Sequence, residues 1–143
     1  MKKIILPSLL LLLGAGAAIA QCGKKSVMKS NKTEYFDSSG NIQRTVDETA
    51  LVEIDGSNIK IAPGDDGRVM AGPIKSDSCK WKIPFKEGKT VIKTDLTDER
   101  GEVHKDVTLT IEGKNGVITL LFEAPEIPDK KIKITAVSFE EKK

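Results

Sequence analysis

From about residue 25 onward, apolar residues in this chain recur at every second position, and Gly, Asn, Asp and Pro interrupt them at intervals of roughly 8–14 residues. A period of two belongs to strands whose side chains point alternately to either face of a sheet. The clearest case is Cys79-Lys80-Trp81-Lys82-Ile83-Pro84-Phe85. Cys79, Trp81, Ile83 and Phe85 fall on one face and two lysines on the other, as a sheet with one wet face requires. Pro84 has no amide donor and predicts that the strand ends, or lies at an edge, there. After residue 25 no stretch shows a helical period.

Two hairpins follow from the same pattern. Ala50, Val52 and Ile54 alternate, Asp55-Gly56-Ser57 turns, and Ile59 and Ile61 return. Further on, Val107, Leu109 and Ile111 alternate, Glu112 to Gly116 turns, and Ile118, Leu120 and Phe122 return. Glycine and asparagine supply the positive φ angles of tight hairpins. Further strands are expected at Val27–Phe36, Val69–Lys75, Thr90–Asp95 and Lys131–Glu140. In the last of these, Ile132 and Ile134 have one parity, Val137 and Phe139 the other, so a β-bulge is expected near Thr135–Ala136. The expected fold is all-β: an antiparallel small barrel or β-sandwich of about eight or nine strands, with up-and-down connections favoured by the sequential hairpins.

The first twenty residues are of a different kind. Met1-Lys2-Lys3, an apolar stretch from Ile4, and Ala18-Ile19-Ala20 form the three parts of a cleaved secretory signal peptide. The apolar stretch stands at the lower end of the roughly 17–25 residues that span a bilayer, and it contains Pro7 and two glycines. Residues 1–20 are therefore read as a signal peptide and 21–143 as a single β-domain. Cys22 follows the cut, and its fate stays open. Cleavage after Ala20 leaves it free to pair with Cys79, the only other cysteine, in an oxidising compartment. Alternatively Cys22 is the lipidated residue of an outer-membrane lipoprotein, although Gln21 is larger than the residue normally found before such a cysteine.

Composition narrows the function. Of 23 basic and 21 acidic residues, Lys2 and Lys3 belong to the signal, leaving 21 against 21. A neutral domain with dispersed lysines is no nucleic-acid binder, which would carry a clustered basic face. One His, one Trp and one Tyr leave little for an imidazole metal cage or a carbohydrate platform. His104 starts a strand on the parity opposite Val103, Val107 and Leu109, and so is expected to face solvent. No Gly-x-Ser-x-Gly elbow accompanies it. The acidic stretches Gly64-Asp65-Asp66-Gly67 and Asp95 to Glu102 offer oxygens but do not fit a twelve-residue calcium loop. No catalytic residue, metal or cofactor is expected, and the protein is read as a non-enzyme.

The signal, the strand order, the hairpin "LTIEGKNGVITL" and the ending "KKIKITAVSFEE" resemble small secreted bacterial β-proteins, lipocalin-like in pattern. The resemblance implies a barrel and carries over no ligand residues. Two functional readings result. In the first, the exported domain binds a small apolar ligand, with Trp81, Ile83 and Phe85 as candidate lining. In the second, it is an envelope structural or protein-interaction module using a surface or sheet edge. The expected location is periplasmic or secreted, with membrane attachment only if Cys22 is lipidated.

Overall fold

A computed structural model describes residues 22–64 and 68–142. The expected signal peptide and most of the first acidic stretch, Asp65 to Gly67, lie outside the described residues. Nine strands follow one another: β1 (Ser26–Phe36), β2 (Ile42–Val46), β3 (Ala50–Ile54), β4 (Asn58–Pro63), β5 (Met70–Ile83), β6 (Glu87–Asp98), β7 (Val103–Lys114), β8 (Val117–Glu123) and β9 (Lys131–Glu141). From β3 to β9 each strand pairs antiparallel with the next. β1 then joins β3 along one edge and β9 along the other, closing eight strands into an up-and-down barrel. Of the two expected architectures, the barrel is the one formed.

β2 is the extra strand. It pairs with Thr33–Phe36 of β1, while Ser26–Ser30 on the same edge of β1 take β3. β2 and β3 are thus two pieces of one return path, interrupted at residues 47–49. Within the β1–β2 hairpin, Arg44 lies 4.4 Å over the ring of Tyr35. Sequence alternation misses β2 because four of its five residues are exposed, so it has no dry face.

The inner wall shows why these segments become strands. In β6 the buried positions are Thr90, Ile92, Thr94, Leu96 and Asp98, every second residue. In β7 they are Val107, Leu109, Ile111 and Gly113, and in β8 Ile118, Leu120 and Phe122. The apolar ones, together with Met28, Val52, Ile59, Trp81 and Ile134, form one core cluster. Eight strands enclose a space just wide enough for side chains to fill, and this barrel is filled.

Two sequence expectations need correction. Val69–Lys75 and Cys79–Phe85 are not separate strands: β5 runs unbroken from Met70 to Ile83, its turn-like Ser76-Asp77-Ser78 all on exposed backbone paired to β6. It does end directly before Pro84. The bulge expected near Thr135–Ala136 is present: Lys29 pairs with Ser138 and Ser30 with Ala136, leaving Val137 as the extra residue, and the register shifts back between Ser30 and Lys32. Val137 therefore stands 62% exposed instead of sharing an inner face with Phe139.

Candidate functional sites at the two barrel ends

The antiparallel order sorts the connections into two groups. Turns 55–57, 84–86 and 115–116 share one end with the chain's first described residues. Turn 99–102 and loop 124–130 share the other.

At the first end, Cys22 and Cys79 form a disulfide with a Cα–Cα distance of 6.0 Å. Both residues pack against the core cluster, so the leading segment is drawn over the barrel mouth. Beneath it lies an aromatic group. Phe139 stands 5.9 Å from Trp81 and edge-on to Phe85 at 4.9 Å, centroid to centroid. Trp81 is 2% exposed, and its indole N–H donates to the Thr90 hydroxyl at 2.6 Å.

The ring has a floor of two paired glycines, Gly88 and Gly113. A Cβ on Gly113 would lie 2.8 Å from Trp81 Cζ3 and 2.5 Å from the Lys86 carbonyl oxygen. On Gly88 it would lie 2.4 Å from Trp81 Cα. Gly113→Ala is accordingly expected to destabilise by about 1–3 kcal/mol through overpacking. An unchanged urea midpoint would show that the floor has slack.

Of the three candidate lining residues, Trp81 and Phe85 belong to this packed end. Ile83 stands 45% exposed, outside it. The void here, bounded by Cys22, Ile54, Ile92 and Phe139 among others, measures about 30 Å³. That is room for a water or two and far from a lipid.

The second end is polar. Sequence parity puts His104 outside, but β7 carries a bulge that reverses it. Thr94 pairs with Val107 and Leu96 with His104, so one residue of β6 faces two of β7. Asp106 takes the extra position at φ 55°, a left-handed conformation that Asp tolerates better than most residues. An outer network fixes the bulge. Asp95 Oδ1 accepts the Asp106 amide at 2.9 Å and Lys75 Nζ at 2.9 Å, and Lys75 also reaches Asp106 Oδ1 at 3.1 Å. The Asp106 amide, then Lys75, hold the Asp95 carboxyl below its ordinary pKa.

The bulge turns His104 onto the inner parity of the barrel rim, beside Asp98. Asp98 opens the turn to β7: its Oδ1 accepts the amides of Arg100 at 2.9 Å and Glu102 at 3.1 Å. Its side chain is only 4% exposed. Its other oxygen, Oδ2, faces His104 Nε2 at 3.5 Å. His104 Nδ1 hydrogen-bonds Glu126 Oε1, which arrives from loop 124–130. Ligand atoms of Asp98, Glu102 and His104 all lie within 4.8 Å of one another. Glu126, foremost, holds the imidazole above its ordinary pKa. Burial pushes the Asp98 carboxyl up, but the amides of Glu102 and Arg100 and the nearby imidazole outweigh it, and the net shift is downward.

This grouping was not legible in the sequence. The acidic turn could be seen, but the bulge that aims His104 at it and the distant Glu126 could not. Comparison with protein-family models, curated proteins and solved structures finds no match.

Proposed function

We propose that the chain is a non-enzymatic, exported β-barrel that acts through its outer surface as an envelope structural or protein-interaction module. The filled interior carries this reading. Residues that would line a ligand cavity are instead packed on one another; the void under the Cys22–Cys79 bridge is about 30 Å³, and the hollow of about 790 Å³ beside Trp81 is an open groove bordered by Lys80, Lys82, Glu87 and Glu112. What remains for recognition is the outside. Among the described residues, β2 is the one strand paired along a single partner, and its outer edge offers amides and carbonyls to an extended peptide. Ile42, 55% exposed, stands on that strand.

The disulfide supports an oxidising, extracytoplasmic location. It also uses the sulfur that a lipid thioether would need, which favours the soluble form cut after Ala20. Mass spectrometry of the protein from its own host tests these points together. The denatured mass is expected to match residues 21–143 less two hydrogens, which reduction restores. The native mass is expected to carry no lipid-sized adduct. An acylated mass would overturn the soluble form, and a co-purifying lipid-sized adduct would return the apolar-ligand reading to first place.

A further inference from the structure

We propose that Asp98, Glu102 and His104 form a binding site for a single divalent transition-metal ion of the zinc type, with Glu126 as the residue that orients the imidazole. Three observations point the same way. The donor set is one imidazole and two carboxylates gathered within 4.8 Å. Zinc accepts this mixture, whereas magnesium and calcium take oxygen alone.

The second observation is the spacing of Asp98 Oδ2 and His104 Nε2. A charge-assisted hydrogen bond draws nitrogen and oxygen to about 2.7–2.9 Å. Two ligands on a tetrahedral ion with bonds of about 2.0–2.1 Å sit about 3.3–3.4 Å apart. The two atoms are 3.5 Å apart, nearer to the edge of a coordination tetrahedron than to a closed ion pair.

The third is the imidazole's other side. Metal-ligating histidines characteristically donate their second N–H to a carboxylate, which fixes the tautomer and points the free nitrogen at the ion. Glu126 takes that N–H here, from a separate loop, leaving Nε2 turned toward Asp98. Asp98 is itself immobilised by two backbone amides bonded to its other oxygen. Two of the three ligands are therefore already held in place, and Glu102 is on the same turn. Three protein ligands leave a fourth position for water or a donor from a partner.

Zinc titration of the disulfide-intact, tag-free protein near neutral pH tests the site. One saturable equivalent is expected by calorimetry. His104→Gln is expected to abolish it, and Glu126→Gln to weaken it about 10–100-fold. Because the chain has a single histidine, the imidazole ¹⁵N signals of the unmutated protein give an independent reading that no folding defect confuses. Nε2 is expected to shift on saturation while Nδ1 keeps its proton. No saturable binding, an equivalent retained in His104→Gln, or an imidazole that does not respond to zinc would each overturn the proposal.

Discussion

Trp81→Ala is expected to destabilise the protein by about 3–5 kcal/mol, the range for removing a large buried aromatic. The ring fills one end of the barrel, and what surrounds it cannot collapse inward. Its floor is backbone, at Gly88 and Gly113, and its side is the Phe139 ring, itself packed on Phe85. The substitution also removes the donor to the Thr90 hydroxyl, a group only 9% exposed. Trp81→Phe separates these effects, since it keeps most of the ring and loses only the donor. It is expected to cost less, about 1–3 kcal/mol. Urea midpoints followed by circular dichroism serve for all three proteins, because the chain has no other tryptophan. A loss below 1 kcal/mol for the alanine variant would mean that the end relaxes freely, and that the barrel can open a cavity there after all.

Removing the disulfide has an effect of comparable size and different origin. Cys22 and Cys79 are 57 residues apart in sequence, and a closure of that length is worth about 4 kcal/mol in the chain-entropy account. The double variant Cys22→Ala/Cys79→Ala, which leaves no lone thiol, is expected to lose about that much. The barrel itself is expected to persist, since its strands are closed by backbone pairing between β1 and β9. The visible change should be confined to the mouth: faster amide exchange in residues 22–26 and in the neighbouring turn 55–57. An equal urea midpoint with and without the bridge would mean that the leading segment is held by packing alone.

The two ends also differ in how far they could be read from the sequence. Alternation located the strands with a dry face, and the sequential hairpins favoured the up-and-down order that the barrel adopts. β2 escaped because Gln43, Arg44 and Thr45 are wet on both sides. β5 was divided because Ser76 to Ser78 look like punctuation, yet they lie within one strand paired to β6. Of the aromatic end, Cys79, Trp81 and Phe85 form a local pattern and were visible on one face, whereas Phe139 reaches them from the last strand. The histidine end depends on a one-residue bulge at Asp106, which reverses every parity beyond it. It depends as well on Glu126, which is 22 residues from His104. The bulge in β9 shows as a switch of apolar parity, but the one at Asp106 has only the exposed Val103 beyond it to mark the slip, and a long-range pairing has no signature in a single sequence.

The seam between β1 and β9 gives the chain an order in time. The first strand to emerge, whether from the ribosome or through a membrane, must wait for the last before one of its edges is covered. Its pairing with β9 runs over almost its whole length, so a long row of unpaired amides and carbonyls stands open meanwhile. Contacts this distant in sequence are also the slow ones to form. Cys22 and Cys79, by contrast, are both available well before β9. Oxidation can therefore bring the leading segment onto β5 while the barrel is still an open sheet. A chain truncated before Lys131 would remain in that state, with two free edges and a strong tendency to join others of its kind.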